Sequence, residues 1–281
     1  MSAGTARSVA HRSRLAATRR LCSNWQMSNP EDADGRTPLH ASGGDSVDLQ
    51  QYLDAQAAAG GHSTIPLSDL LRPFMSPAVR LRAKQVATAV SRPVSRRKAR
   101  DEEVAGGLKL HLGSGGNNLA GWTNVDLVGA RADVAWDLRR PLPFADQIAG
   151  AVFLEHVLEH MTVSEGMAVL RHAFRVLAPG GIIRVGVPDA GLYARSYAVG
   201  DGILDDLRPG RPTRMLALGE VFQEHGHVSA WDGETLALVI EAVGFSGAVV
   251  MAGGESQIVP APDSAVRIPE TVYVEAVVPG P

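Results

Sequence analysis

The pattern of apolar and polar positions divides the chain into three segments. Residues 1–60 show no sustained apolar periodicity and are rich in Ser, Ala, Gly, Arg and Asp, a composition typical of a disordered tail. Residues 61–105 contain a helical pattern interrupted by prolines, together with many basic side chains, which indicates a basic helical extension or linker. Residues 106–281 alternate short apolar runs with amphipathic ones, and this alternation predicts one folded domain.

The runs in the folded segment predict a parallel sheet with helices on its faces. Five short apolar runs between Leu108 and Pro188 are typical of strands, and an amphipathic helix with Ser164 at its start separates the last two. A later helix is expected to begin after Asp232 and to end at Gly244. The two final apolar runs have no helix between them, so they should form an antiparallel hairpin.

Charge and cysteine content narrow the functional classes. The net charge of −3 is the sum of +8 on residues 1–100 and −11 on residues 101–281. The domain itself is therefore acidic, and no nucleic-acid partner is expected. The single cysteine, Cys22, excludes a disulfide framework and a cysteine zinc site. No apolar run approaches the ~20 residues that span a bilayer, so we expect a cytoplasmic protein.

A basic run lies between Arg80 and Arg100, where eight basic residues occur without an acidic one. Charge runs usually form solvated helix faces, and that is the simpler interpretation of residues 80–100. A weak contact with an anionic surface is the alternative.

Small, acidic or ionisable side chains follow the first four predicted strands. In order along the chain they are Gly113, Ser114 and Gly115; Asp126; Asp137 and Leu138; and Glu155 and His156. Ligands of open parallel sheets lie beyond the carboxyl ends of the strands, so these residues should meet in one cleft. Glycines let backbone N–H groups approach an anion, and acids can accept from ribose hydroxyls or from the amino group of adenine. The predicted ligand is an adenosine-containing molecule.

The spacing of these groups argues against the ordinary dinucleotide site. Thirteen positions separate Gly113 from Asp126, too few for the helix that precedes the ribose-binding acid in nicotinamide dehydrogenases. That fingerprint also needs a glycine where Asn118 stands.

The motifs LHLGSG, GWTNVDL, DLRRPLPF, HVLEH, RVLAPGG and VPD occur in this order between Leu108 and Phe245. This segment resembles class I S-adenosylmethionine-dependent methyltransferases, and most closely the compact bacterial group associated with small molecules and sugars. The resemblance implies a Rossmann-like, doubly wound α/β fold with a seven-stranded sheet, mostly parallel with the last strand antiparallel. It also implies S-adenosyl-L-methionine as the cofactor.

By the same resemblance, each strand end has a role toward the cofactor. Gly113, Ser114 and Gly115 would contact the methionyl part, Asp126 the ribose, Asp137 and Leu138 the adenine, and Glu155 and His156 would line the reactive side. Two positions depart from the family pattern, since Asn117 replaces the usual third glycine and Gly150 stands near the place of an acid. Asn tolerates a left-handed backbone, so the turn is expected to survive.

The acceptor pocket of this family borders the segment Gln223–Asp232, which contains two histidines. A hydroxyl acceptor needs a base near its proton, and His227 or His225 could serve because histidine titrates near neutrality. We favour His227, which precedes Val228 and should be held more rigidly. The resemblance favours O-methylation of a sugar-like or small natural-product hydroxyl, with a small molecule or glycan as partner.

Two other functions remain open at this point. The stretch His156–His160 matches H-x-x-E-H, a zinc protease pattern, but it follows directly on a strand instead of lying within a long helix. A metal held by His225 and His227 lacks a third ligand fixed by spacing, so we expect no metal site. A methyltransferase fold retained as a non-catalytic binding subunit is the other alternative.

Overall fold

The structure is a computed structural model that describes residues 49, 51–54, 77–105, 107–127 and 132–280. Most of the predicted disordered tail, residues 1–60, and the first part of the predicted extension lie outside the described residues. Among the residues described, no helix has both the length and the apolar character needed to cross a membrane.

The described chain alternates strands and helices from residue 109 onward. The strands are β1 (Lys109–Leu112), β2 (Thr123–Asp126), β3 (Val134–Ala135), β4 (Ala149–Glu155), β5 (Leu177–Pro188), β6 (Ser246–Met251) and β7 (Thr271–Val277). The helices are α1 (Pro77–Ala105), α2 (Val163–Val176), α3 (Ala190–Val199), α4 (Ile203–Leu207), α5 (Arg214–Gln223) and α6 (Gly233–Val243).

The seven strands form one mixed sheet in the order β3-β2-β1-β4-β5-β7-β6. Strands β1 to β5 pair in parallel, whereas β7 runs antiparallel to both β5 and β6. This arrangement confirms the predicted mostly parallel sheet and the late antiparallel hairpin. Because β1 lies between β2 and β4, the strand order reverses there, and a cleft is expected at the carboxyl ends of β1 and β4.

One face of the sheet carries the main apolar core. Leu110 and Leu112 of β1 and Val152 and Leu154 of β4 alternate along their strands, so all four point to the same face. They belong to one buried cluster that also contains apolar residues of α2 and α6. This packing holds the ends of β1 and β4 in place.

Helix α2 begins with a capping box at Thr162 and not at the predicted Ser164. The Thr162 hydroxyl accepts from the Glu165 N–H, and the Glu165 carboxylate accepts from the Thr162 N–H at 2.9 Å. Glu165 determines where the helix begins, because its carboxylate accepts from the Thr162 N–H, which would otherwise lack a partner in the helix. Helix α6 begins as predicted, since the Asp232 side chain accepts from the Thr235 N–H.

Pro77 begins a long helix instead of breaking a short one. Helix α1 runs for 29 residues from Pro77 and continues through Pro93. Proline suits the first turn of a helix, where its missing N–H would have no helical partner. The Thr88 hydroxyl donates to the Leu127 carbonyl, so the middle of α1 is fastened to the segment after β2.

A buried ion cluster ties the connection between β6 and β7 to the sheet. The Arg184 guanidinium of β5 donates to Glu275 of β7 at 2.8 Å and to Asp263 of the connection at 2.6 Å. The side chains of Arg184 and Glu275 are fully buried, and that of Asp263 is 1% exposed. Because water is excluded from these groups, each charge depends on its partners.

We expect Arg184→Met to lower the free energy of unfolding by about 3–5 kcal/mol, because it leaves two buried carboxylates without the cation that both contact. Chemical denaturation measures this loss. Arg195→Met is the matched control, since Arg195 lies 3.7 Å from Asp189 but its side chain is 68% exposed. A change within about 1 kcal/mol is expected for the control. Equal losses in both variants would contradict the prediction.

Candidate functional site

The loop after β1 lies directly against the turn after β4. The Gly113 N–H donates to the Val125 carbonyl at 2.7 Å, and Gly113 has a left-handed backbone with φ +76°. A Cβ atom on Gly113 would lie 2.4 Å from Cγ2 of Val157, closer than real atoms approach. Glycine is therefore required both for the backbone angle and for the contact.

The turn of Ser114 to Asn117 keeps its shape without the family's third glycine. The Asn117 N–H donates to the Ser114 carbonyl at 2.9 Å, and the left-handed residues of the turn region are Gly113 and Gly115. Asn117 is not left-handed, so the tolerance expected of Asn is not needed. The Ser114 side chain is buried, and its Oγ has no hydrogen-bond partner among the described residues.

Asp126 meets this loop from the neighbouring strand. It is the last residue of β2 and is half-buried, and its Oδ2 accepts from the Gly115 N–H at 2.8 Å. The structure therefore brings the glycine loop and the acid together at the carboxyl edge of the sheet, where the sequence predicted them.

Asp137 and Leu138 lie next to α1. The Asp137 carboxylate accepts from Gln85 of α1 at 3.2 Å and from the Arg139 N–H at 3.1 Å. A cavity of about 180 Å³ is lined by Asp137, Trp136 and side chains of α1. Leu138 is buried in the core. The predicted adenine side is thus a small space partly closed by a helix.

These groups fit S-adenosylmethionine. The buried hydroxyl of Ser114, which has no hydrogen-bond partner among the described residues, suits a polar amino-acid group. The Asp126 carboxylate at the end of β2 suits a ribose diol. The Asp137 carboxylate, which faces the cavity beside α1, suits the amino group of a base.

Glu155 and His156 make their contacts toward β7. The Glu155 carboxylate accepts from the Tyr273 hydroxyl at 2.8 Å and from the Ser264 N–H at 2.9 Å. Nε2 of His156 lies 2.8 Å from Oγ1 of Thr271, and the His156 backbone is left-handed at φ +56°. Burial, followed by nearby positive charges, lowers the pKa of His156 to about 3. The predicted role of both residues toward the cofactor stays a prediction.

A group of ionisable side chains lies just beyond β4. Glu159 and His160 belong to a 3₁₀ turn, and they meet His227 from the connection between α5 and α6. These three residues are here named the Glu-His cluster. One ring nitrogen or carboxylate oxygen from each residue lies within 4.8 Å of the corresponding atoms of the other two. The Glu159 carbonyl accepts from the Val228 N–H at 2.8 Å, so backbone pairing holds the two segments together.

Glu159 is buried without a hydrogen bond to its carboxylate. The residue is 2% exposed, and neither carboxylate oxygen has a hydrogen-bond partner among the described residues. Burial raises the pKa of Glu159 to about 8 and lowers that of His160 to about 4. His156 and His160 are therefore neutral at neutral pH, and their contacts of 3.6 Å and 3.9 Å to Glu159 are not ion pairs.

A cavity of about 200 Å³ opens beside the Glu-His cluster. Glu159 and His227 line it together with Phe222 of α5 and Trp231. His225 is exposed, and its ring lies 6.2 Å from that of His227. Of the two histidines predicted as a base, His227 lines the cavity and His225 does not.

Glu159 and His160 are functional candidates that the sequence did not place in the site. Their signal was the H-x-x-E-H pattern, which suggests His156 and His160 on one helical face. The structure separates that pair, because His156 is left-handed and the turn that follows is a short 3₁₀ turn. His160 meets His227 instead, with their rings 5.0 Å apart.

The glycine loop can be tested with two neighbouring alanine substitutions. Gly113→Ala should weaken the binding of S-adenosylhomocysteine by about tenfold or more, because it strains the backbone and displaces Val157. Gly116→Ala is the matched control, since its Cβ would meet nothing within 4 Å and its φ is not left-handed. Calorimetry measures both affinities. An unchanged affinity in Gly113→Ala would remove this loop from the site.

Asp126→Ala should weaken the binding of S-adenosylhomocysteine by about tenfold or more, because ribose hydroxyls would lose their acceptor at a cost of about 1–3 kcal/mol. Asp146→Ala removes an acid whose side chain is 71% exposed, and it should leave the affinity unchanged. The two affinities are compared by calorimetry at one ionic strength. Equal affinities would show that Asp126 does not hold the ribose.

A methyltransferase-domain family model matches residues 117–185 of the chain. No curated protein matches the chain in sequence. A possible histamine N-methyltransferase from Thermotoga maritima is 14% identical over 70% of this chain and 98% of its own, with a TM-score of 0.40. Human N-acetylserotonin methyltransferase in complex with S-adenosylmethionine is 18% identical over 80% of this chain and 65% of its own, with a TM-score of 0.39.

The family match and the strand-end residues concern the same part of the molecule. Residues 117–185 include β2, β3 and β4, whose ends carry Asp126, Asp137 and Glu155. The predicted family, enzyme class and cofactor are confirmed. Residues 117–185 therefore belong to a methyltransferase domain of the S-adenosylmethionine-dependent class, with S-adenosylmethionine as the cofactor.

Proposed function

We propose that this domain methylates a hydroxyl oxygen of a small, sugar-like or natural-product acceptor bound in the cavity beside the Glu-His cluster. The observation that carries the proposal is this cavity, which combines aromatic walls with Glu159 and His227. Such a space suits a small molecule or one sugar unit of a glycan.

The position of the cavity along the chain supports this assignment. Val157 touches the glycine loop at Gly113, and the turn that contains Glu159 begins at the next residue. An acceptor in the cavity would therefore lie next to the methionyl end of the cofactor. Methyl transfer is an in-line displacement, so the protein must align the acceptor oxygen with the methyl group.

Phe222, Trp231 and Pro188 provide the apolar walls of this cavity. Trp231 is 1% exposed, and its Nε1 donates to the Ser229 hydroxyl at 2.8 Å, so the ring is held in one orientation. A fixed aromatic wall restricts how an acceptor can enter and so contributes to its alignment.

Bound S-adenosylmethionine supplies a methyl group on an activated sulfonium. The remaining requirement is that the hydroxyl proton leaves the acceptor, and the Glu-His cluster lies on the wall where this would happen. Nδ1 of His227 lies 2.7 Å from the Val221 carbonyl, which can only accept, so Nδ1 carries the proton. The lone pair of the neutral ring is then on Nε2.

A screen for turnover tests the proposed activity. The full chain is incubated with S-adenosylmethionine and a panel of sugars, glycosides and phenolic or aliphatic alcohols, with formation of S-adenosylhomocysteine as the readout. We expect turnover with at least one hydroxyl acceptor. Turnover with amines alone would overturn O-methylation, and cofactor binding without any turnover would favour a non-catalytic binding subunit.

With an acceptor from this screen, His227→Ala should lower kcat by about 10²–10⁴-fold while the affinity for S-adenosylhomocysteine stays within about twofold. The reason is that His227 acts on the acceptor side of the reaction. His172→Ala is the control, because His172 lies on α2 away from the cavity lining and is also partly buried. Full activity of His227→Ala would remove the histidine from the reaction.

A further inference from the structure

Two histidine-containing segments that are far apart in sequence converge at the Glu-His cluster. We propose that Glu159, His160 and His227 bind a divalent transition-metal ion, with zinc as the best match, and leave one coordination position open toward the cavity. This departs from the sequence-based expectation of no metal site, because the third ligand comes from tertiary contact and not from spacing along either motif.

The state of Glu159 is the first support. A buried carboxylate is normally paired or hydrogen-bonded, because removal from water is costly. At 2% exposure, neither oxygen of Glu159 has a hydrogen-bond partner among the described residues. By contrast, the equally buried Glu155 accepts two hydrogen bonds. Coordination of a cation would satisfy the oxygens that the protein leaves without a partner.

The orientation of the two histidines is the second support. Metal-binding histidines almost always donate their other ring N–H to a carboxylate, a backbone carbonyl or water. Nδ1 of His227 lies 2.7 Å from the Val221 carbonyl. This contact places the ring proton of His227 on Nδ1, so Nε2 is the nitrogen that would bind the ion. Nε2 of His160 lies 3.9 Å from Oε1 of Glu159, so the His160 ring faces the same carboxylate.

The set of donors identifies the class of ion. Imidazole nitrogens suit zinc and similar transition metals, whereas magnesium and calcium prefer oxygen ligands alone. Two histidines, one glutamate and an open position form a common arrangement of catalytic zinc. Bonds of about 2.0–2.2 Å place tetrahedral ligands about 3.4 Å apart, whereas these atoms lie within 4.8 Å of one another, so the group would contract on binding the ion. The His160 side chain is 39% exposed and has room to move.

The open position gives the ion a role in the reaction, and this part of the inference rests on the proposed function. Glu159 and His227 line the cavity, so an acceptor oxygen there could become the fourth ligand. Coordination lowers the pKa of a bound hydroxyl. The Nε2 lone pair of His227 is then on the ion, so His227 acts as a ligand in place of the base. The O–H bond breaks and the proton passes to water. The oxygen then forms a bond to the methyl carbon as the S–CH₃ bond breaks and S-adenosylhomocysteine leaves.

Metal binding is tested on the full chain after chelation and dialysis. Titration with Zn²⁺ in a calorimeter should show one ion per chain, with a dissociation constant of about 1 µM or tighter. Glu159→Gln and His227→Ala should each weaken binding by about 100-fold or more, because each removes a ligand. His172→Ala should bind as the unaltered chain does. Co²⁺ should give visible absorption bands in the unaltered chain that both ligand variants lose.

The test separates loss of the metal site from loss of the fold. Glu159→Gln keeps the shape of the side chain, and all variants should bind S-adenosylhomocysteine within about twofold of the unaltered chain. Under those conditions, absence of saturable zinc binding, or equal zinc binding in Glu159→Gln, overturns the metal site. Zinc binding together with turnover that a chelator does not reduce overturns the role of the ion in the reaction. Zinc binding without turnover on any acceptor supports the site and overturns the proposed function.

Discussion

The close approach of Gly113 to Val157 is the contact on which the rest of the site depends. It places the loop after β1 against the turn after β4, which a side chain at position 113 would prevent. From there the backbone continues into the turn of Glu159, whose carbonyl is bonded to the segment of Val228. The contact between Gly113, which has no side chain, and Val157 thus links the cofactor loop to the Glu-His cluster and to the wall of the cavity.

Buried carboxylates fall into two kinds in this domain. Glu155, Asp263 and Glu275 all lie beneath the surface, and each is bonded to an arginine, a hydroxyl or a backbone N–H. They hold the connection between β6 and β7 against the sheet. Glu159 is buried to the same degree but has no such partner among the described residues. Glu159 is therefore the buried acid whose oxygens the proposed metal ion would satisfy.

Much of the fold and of the cofactor site could be predicted because their signals are local. The strand ends with Gly113 and Asp126 could be identified from apolar runs followed by small or acidic residues. The start of α2 at Thr162 was missed because two possible caps lie close together, and the reciprocal bond with Glu165 decides between them. The proline-interrupted pattern predicted no long helix beginning at Pro77, although proline suits the first turn of a helix.

The Glu-His cluster could not be predicted in the same way. His160 and His227 each belong to a short motif that lacks enough ligands by itself, and the contact between them exists only once α5 and the turn after β4 are packed. The left-handed backbone of His156 also has no signal in the sequence, since only the surrounding structure imposes it. Tertiary contacts therefore bring together side chains whose meeting the spacing along the chain did not indicate.

The position of β7 has a consequence for how the domain folds. Strand β6 precedes β7 in the chain but pairs only with it, and β7 lies between β5 and β6. Strand β6 therefore cannot join the sheet before β7 has formed, and until then the edge of β5 is unpaired. Arg184 of β5 also meets neither Asp263 nor Glu275 until that late stage. Contacts this distant in sequence form slowly because a long loop must close first. We therefore expect β7 and β6 to join the sheet late in folding, at the same time as Arg184 meets its two carboxylates.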